Sequence, residues 1–160
     1  MVVLCNKNYE KGVCIMDNNV NLDAINEVYR NANVALLSIS NVIEEITDVE
    51  LKKEILDEYE GYEKFASELS MYMAEKGYEA KEVGTMKKMM MKSGIKMNTM
   101  VDDSESNIAQ IMIKGTVMGI TELSKIINNS ENVTDSKIID FATRLRTLEE
   151  SYEERLKKFL

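Results

Sequence analysis

The 160-residue sequence predicts an all-α fold, a four-helix bundle made of two antiparallel helical hairpins. The chain contains no proline and only seven glycines, and proline is the residue that breaks helices most strongly. Four long segments repeat apolar residues at spacings of three and four, which is the period of one helix face. Hydrophobic residues make up 44% of the chain and charged residues 30%, values that are ordinary for a globular domain with one core.

The first hairpin is predicted to span residues 22–76. Its first helix, residues 22–46, carries a stripe that includes Leu22, Ile25 and Ile39. The second helix, residues 49–76, carries a stripe of seven residues, and Gly77 is placed to end it in a left-handed turn. Thr47 and Glu50 have the spacing of a capping box, so the connecting loop is short and the helices are antiparallel neighbours. The second stripe comprises Leu51, Ile55, Tyr59, Tyr62, Ala66, Leu69 and Met73.

The second hairpin is predicted to span residue 103 to the end of the chain. Its helices cover residues 103–129 and residues 136–160. In the third helix Gly115 and Gly119 lie four apart on one face, beside a stripe that includes Met118, which indicates close approach of a neighbouring helix. The fourth helix has a stripe through Leu148. The motif "EGYE" at residues 60–63 recurs as "ESYE" at residues 150–153, and this repeat favours a duplicated hairpin.

The two hairpins are joined by residues 78–101, which are predicted to include a short crossover helix at about residues 85–101. Within it, "MKKMMMKSGIKMNTM" holds six of the twelve methionines. Core packing is the favoured interpretation of these methionines, and an exposed partner-binding groove is the alternative. A basic patch for anionic surfaces is a further alternative, and it would use Lys87, Lys88, Lys92 and Lys96.

The beginning of the chain sets the domain organisation and the expected compartment. Residues 1–20 are predicted to form an N-terminal extension, either disordered or folded as a small hairpin, and residues 21–160 a single bundle domain. Cys5 and Cys14 are the only cysteines and histidine is absent, so no zinc pattern exists; whether the two thiols pair stays open. No signal-peptide pattern and no apolar run of about 18 residues is present. We therefore expect a cytoplasmic protein without a transmembrane segment.

The net charge of −8 argues against a nucleic-acid-binding protein, which would present a basic surface. No histidine can serve as a general base, and no Gly-x-Ser-x-Gly elbow or phosphate-binding loop is present. No catalytic residue is therefore identified and no cofactor is predicted. The favoured function is a non-enzymatic structural or protein-interaction role, with homo-oligomerisation left open and the protein partner unidentified.

A metal-carboxylate site is the main alternative for a bundle of this kind. Di-iron bundles use one Glu from each of two helices and a Glu-x-x-His from each of the other two, and this chain has no histidine. A site made only of carboxylates would draw on Glu60, Glu63, Glu150 and Glu153. The helix opposite each pair offers no carboxylate at that level, so these four are expected to face water. Glu122 borders the apolar stripe, and an interior Glu122 would need a partner; Arg144 and Arg146 are the candidates.

Four stretches carry a family resemblance: "LDAINEVYRNANVALLSI", "EGYEKFASEL", "DDSESNIAQIMIKGTVMGITEL" and "ESYEERLKKFL". From residue 21 onward the chain resembles an uncharacterised bacterial family of ferritin-like four-helix proteins that is common in spore-forming anaerobes. The resemblance implies a ferritin-like bundle and no known activity. Ferritin-like relatives suggest an iron- or manganese-carboxylate oxidase, or an iron-handling protein, as the alternative function. The family pattern also implies His and Glu where this chain has the amides Asn107 and Gln110. If those family residues bind a metal, this chain lacks that site.

Overall fold

The computed structural model describes residues 7–81 and 104–160, with side chains from residue 19 onward. These residues form four long helices and no strand: α1 (Lys7–Val42), α2 (Val49–Lys76), α3 (Glu105–Asn128) and α4 (Ser136–Leu156). Single 3-10 turns follow α3 at Ser130–Asn132 and α4 at Lys157–Phe159. The all-α prediction is therefore confirmed for the described residues. The predicted crossover helix, its methionines and its four lysines lie outside them, and so does Cys5.

The first hairpin has nearly the predicted boundaries, and its two caps explain where α2 begins and ends. Asp48, rather than the predicted Thr47, is the N-cap, because its Oδ1 accepts a hydrogen bond from the Leu51 N–H at 2.7 Å. Gly77 ends the helix with a φ of 68°, as predicted from the freedom of glycine in left-handed backbone. Residues 7–20, for which the sequence left open disorder or a small hairpin, form the first turns of α1.

Facing side chains fix the directions of the helices. Arg155 on α4 forms an ion pair with Glu54 on α2 at 2.5 Å, and the Tyr72 hydroxyl of α2 donates to Asp135, the N-cap of α4, at 2.5 Å. These pairs join the start of one helix to the end of the other, so α2 and α4 are antiparallel. The Asn31 Nδ2 of α1 donates to the Gly119 carbonyl of α3 at 3.0 Å.

A polar network closes the end of the bundle where α4 begins. Asn21 accepts the Thr134 N–H at 3.0 Å and donates to the Thr134 hydroxyl at 2.8 Å. Asn26 accepts the Lys81 N–H at 2.8 Å and donates to the Glu79 carbonyl at 3.1 Å. Both asparagines are 5% exposed, so these hydrogen bonds satisfy the polar groups of two buried amides. They tie α1 to the segments that flank α2 and α4.

The core runs along the bundle axis and departs from the predicted stripes at positions that matter for the cavity. Glu58 is buried on α2 where Tyr59 was predicted, and Glu149 is buried on α4 where Leu148 was predicted. On α3 the buried face is rotated so that Met118 is 53% exposed and Gly119 is buried. The largest fully buried side chains are Ile25, Ile39, Leu51, Ile55, Leu69, Ile108, Leu123, Ile138, Leu145, Leu156, Glu58 and Glu149. None of the helices in the described part is long and apolar enough to cross a membrane.

Candidate functional site

A cavity of about 130 Å³ lies between α1 and α3 and extends inward to α2 and α4. Each of the four helices contributes one glutamate to its lining: Glu27 from α1, Glu58 from α2, Glu122 from α3 and Glu149 from α4. We call this space the carboxylate cavity. For comparison, an engineered protein cavity of about 150 Å³ binds benzene. The carboxylate cavity therefore has room for a ligand of similar size.

The inner end of the carboxylate cavity holds two glutamates that are each 1% exposed, Glu58 and Glu149. The Tyr62 hydroxyl donates a hydrogen bond to Glu149 Oε1 at 3.3 Å. Glu149 Oε2 and Glu58 Oε1 have no hydrogen-bond partner among the described residues. A buried polar atom without a partner costs about 1–3 kcal/mol, and both residues that carry such an oxygen line the cavity.

Burial also changes the protonation of these two glutamates. It raises the pKa of Glu58 to about 8; the negative charge of Glu54 adds to the rise, and the positive charge of Arg155 opposes it. Burial likewise raises the pKa of Glu149 to about 8, against the hydrogen bond from Tyr62, which lowers it. Both groups are therefore mainly neutral carboxylic acids at pH 7, because the charged form loses its hydration when buried.

Tyr62 lines the cavity beside Glu58 and Glu149, and Tyr152 packs against it. The rings of Tyr62 and Tyr152 are 5.2 Å apart and inclined at 56°, a favourable tilted arrangement for aromatic pairs. The Tyr152 hydroxyl fills the space above Gly61, where a Cβ atom would overlap it. Burial, together with the nearby charges of Glu149 and Glu58, raises the pKa of Tyr62 well above its usual value. Tyr62 therefore remains a hydrogen-bond donor to Glu149.

The two glycines of α3 serve the carboxylate cavity in different ways. A Cβ on Gly119 would lie 2.6 Å from Glu149 Oε2 and 2.7 Å from Asn31 Oδ1. The ends of these two polar side chains occupy the space that a Cβ on residue 119 would take. A Cβ on Gly115 would have nothing packed within 4 Å in the described structure. Gly115 lines the cavity, and its missing side chain leaves space open.

The mouth of the cavity is charged and partly exposed. Glu27 forms an ion pair with Arg30 one turn along α1. Glu122 pairs with Lys125 at 2.7 Å. Partial burial lowers the pKa of Arg30, and the negative charge of Glu122 across the mouth opposes this. The Arg30 guanidinium therefore lies within the electrostatic reach of glutamates on two helices.

The partners proposed from the sequence for Glu122 are wrong. Arg144 donates two hydrogen bonds to Glu68, at 2.7 and 2.6 Å, and Arg146 pairs with Glu150 at 3.4 Å. Both arginines therefore pair with glutamates other than Glu122. The cations near Glu122 are Arg30 on α1 and Lys125 on α3.

Of the residues singled out from the sequence, Glu122 lines the carboxylate cavity, whereas the four proposed metal ligands and the two family-pattern positions lie outside its lining. Glu60, Glu63 and Glu150 are exposed, and Glu153 pairs with Lys157 at 3.0 Å. Asn107 and Gln110, the positions of the family pattern, lie near the start of α3, where exposed Gln110 accepts a hydrogen bond from Lys114 at 3.5 Å.

Glu58 and Glu149 were not predicted from the sequence, although their spacing from neighbouring apolar residues indicates an inward-facing position. On α2, Glu58 continues the steps of four and three that connect Leu51, Ile55 and Tyr62. On α4, Glu149 fills the same place between Leu145 and Tyr152. In each hairpin, the second helix carries a glutamate at an inward-facing position. This pattern indicates a buried acidic site.

The donors present do not fit a dinuclear iron or manganese centre. Within residues 7–81 and 104–160 no group of three or more His, Cys, Asp or Glu side chains is arranged to hold a metal ion. Three residues after the buried glutamates, where such centres place histidine, the chain has Gly61 and Tyr152. The space of the first is filled by the hydroxyl of the second, so neither position offers the histidine that such a centre uses.

Comparisons of the chain with protein-family models, with curated proteins and with solved structures find no match. The ferritin-like resemblance therefore stays a prediction, and the geometry of the cavity is the observation that bears on function.

Proposed function

We propose that this protein is a non-enzymatic binding protein whose carboxylate cavity takes a small organic ammonium ion. One observation carries the proposal: Glu58 and Glu149 are buried and line the same cavity of about 130 Å³, and one carboxyl oxygen of each has no partner among the described residues. An ammonium group supplies the hydrogen-bond donors that these oxygens lack, and it has no acceptor that would need a further partner.

Charge favours the same ligand. An ammonium ion between Glu58 and Glu149 stabilises their ionised forms, because an opposite charge within about 4–6 Å lowers the pKa of a carboxyl. Binding should therefore release protons near neutral pH, where both groups are neutral in the empty cavity. The resulting charged hydrogen bonds are stronger than neutral ones, and Tyr62 is in place to donate a further bond to Glu149.

The walls of the cavity favour a short carbon chain on that ammonium group. Val34, Ala35, Ile111 and Met112 line the space between the mouth and the inner glutamates. Burial of apolar surface contributes roughly 25 cal/mol per Å². A primary amine with four or so carbons would place its charge at the glutamates and its chain along these residues.

The arrangement of the helices supports a ferritin-like architecture as part of the proposal. The hairpins and the antiparallel pair α2 and α4 together make α2 and α3 parallel. A connection between two parallel helices of a bundle must run the length of the bundle, as in ferritin-like folds. The cytoplasmic location and self-association stay predictions, as does anionic-surface binding through Lys87, Lys88, Lys92 and Lys96.

Isothermal titration calorimetry with n-butylamine tests the proposal, with MnCl₂ and Fe(II) as separate titrants. We expect one amine site with an affinity of about millimolar or tighter, given the few atoms of the ligand. Glu58→Gln and Glu149→Gln should each weaken it at least tenfold. Glu60→Gln, an exposed acid on the same helix as Glu58, is the matched control and should bind like the wild type.

The proton release gives a second readout. Titration in two buffers of different ionisation enthalpy should show protons released at pH 7 and fewer at pH 9. An absence of amine binding would overturn the proposal. Stoichiometric Mn(II) or Fe(II) binding that depends on Glu58 and Glu149 would replace it with the metal-carboxylate alternative.

A further inference from the structure

We infer that Asn31 is a specificity-determining residue of the carboxylate cavity: with Glu149 it forms a subsite of acceptor oxygens that selects a primary ammonium group over a fully alkylated one. The ligand of this subsite rests on the proposed function above. The choice between ammonium ions that carry the same charge goes beyond it, because it depends on the N–H donors of the ligand.

The amide of Asn31 is held in one orientation inside the lining of the cavity. Asn31 on α1, Gly119 on α3 and Glu149 on α4 all line that space. The Asn31 Nδ2 donates a hydrogen bond to the Gly119 carbonyl at 3.0 Å. Only the nitrogen of a side-chain amide can donate, so this bond fixes which end of the amide is the acceptor.

Three acceptor oxygens converge on the side of Gly119 where a side chain is missing. The position of a Cβ there would be 2.6 Å from Glu149 Oε2, 2.9 Å from Glu149 Oε1 and 2.7 Å from Asn31 Oδ1. Asn31 Oδ1 and Glu149 Oε2 are therefore at most 5.3 Å apart, which is the sum of their two distances. One ammonium nitrogen can bond both oxygens, because a charged hydrogen bond of this kind is about 2.7–2.9 Å long.

The need for a donor is greatest at Glu149 Oε2. This oxygen is buried and has no partner among the described residues, and the residue that carries it is 1% exposed. A primary ammonium has three N–H donors, enough for Glu149, Asn31 and one further acceptor. A quaternary ammonium has the same charge and no donor, so it would leave these oxygens unpaired.

The experiment compares two isomeric cations by calorimetric titration at pH 7. The n-butylammonium and tetramethylammonium ions have the same atoms and the same charge, but only the first has N–H donors. A hydrogen bond to a charged group commonly contributes tenfold or more to an affinity. We therefore expect the wild type to bind butylammonium at least tenfold more tightly than tetramethylammonium.

Two variants separate recognition of the ligand from the bond to Gly119. Asn31→Leu has a similar size and no acceptor, so the preference for butylammonium should fall about tenfold. Asn31→Asp keeps an acceptor oxygen and loses the donor to the Gly119 carbonyl, so it should restore that preference. Asn33→Leu is the matched control, because Asn33 is also half-buried on α1, donates to the Tyr29 carbonyl at 2.8 Å and lies outside the lining. It should behave like the wild type once circular dichroism has verified a helical fold in each variant.

Two results would overturn the role of Asn31 alone. The first is a preference for butylammonium in Asn31→Leu that stays within threefold of the wild-type value. The second is an equal loss in Asn31→Leu and Asn31→Asp, which would assign the effect to the bond with Gly119. A wild type that binds neither cation would refute the proposed function and the subsite together. Butylammonium binding that requires Glu149 but not Asn31 would refute the subsite and leave the proposed function standing.

Discussion

Replacement of Glu149 by glutamine should flatten the pH dependence of stability. The folded protein holds this carboxyl with a pKa of about 8, mainly because it is buried, whereas the ordinary value is 4.5. Between these two values the folded state binds one proton more than the unfolded state does. The free energy of unfolding therefore falls as pH rises through this interval. Glutamine has a similar shape and no titratable proton, so it removes this dependence.

The size of the effect follows from the same two values. One pKa unit corresponds to about 1.4 kcal/mol, so Glu149 alone should lower the free energy of unfolding by on the order of 4 kcal/mol between pH 5 and pH 8. The stability that the protonated form provides is complete below pH 4.5 and is lost as pH rises to about 8. Glu58 has a pKa raised to a similar value and should add a second contribution of similar size, which remains in the Glu149→Gln variant.

Urea denaturation followed by circular dichroism at pH 5, 6.5 and 8 measures the effect. The wild type should lose stability steadily with pH, and Glu149→Gln should lose about 1.4 kcal/mol less per pH unit. Glu150→Gln is the control, because Glu150 is the next residue and pairs with Arg146 at the surface. It should follow the wild type. Parallel wild-type and Glu149→Gln curves between pH 5 and pH 8 would refute the reasoning, since they would mean that Glu149 is ionised in the folded protein.

Further predictions concern single backbone and capping positions, each measured by urea denaturation at pH 7. Gly119→Ala should destabilise the protein by about 1–3 kcal/mol, because its Cβ would press on Glu149 and Asn31 and overpacking outweighs the better helix propensity of alanine. Gly115→Ala should instead stabilise it by up to about 1 kcal/mol, because the new methyl meets no packed atom; equal effects at the two glycines would contradict this account. Asp48→Ala should cost about 1 kcal/mol through loss of the N-cap bond to Leu51, and an unchanged midpoint would show that the cap is dispensable. Gly77→Ala should cost roughly 1–2 kcal/mol, because φ is 68° there, and a more stable variant would contradict the left-handed cap.

Most of the helical framework could be predicted from the sequence. The predicted and observed bounds of α2 agree, because a capping residue stands before it and Gly77 stands after it. The start of α1 could not be predicted, since residues 7–20 contain Gly12 and several asparagines and show no clear apolar stripe. Helix propensity alone does not indicate a helix in such a segment, because most helical stability in proteins comes from tertiary packing.

The candidate site was harder to predict than the fold, for a physical reason. Apolar residues alone placed Tyr59 and Leu148 on the inward stripes, and the buried glutamates are their immediate neighbours in sequence. One position along a helix is a rotation of about 100°, so the error moves a side chain from the core to its edge. Charged residue types are rarely buried, and a stripe drawn by hydrophobicity passes over them. The residues that position Glu149 are Tyr62 and Gly119, and they lie on two other helices. A stripe drawn along one helix does not reveal them.

The contact between Tyr152 and Gly61 has a consequence for how uniquely the two hairpins assemble. Apolar stripes spaced by three and four permit α4 to slide along α2 by one turn, about 5.4 Å, and still bury Ile and Leu against each other. The Tyr152 hydroxyl lies where a Cβ on residue 61 would be, and such a slide would bring it against the side chain of Asp57 or Phe65 instead. The absence of a side chain at Gly61 therefore favours one alignment of the hairpins over others that would bury apolar residues equally well. Sequences that share this fold should change positions 61 and 152 together.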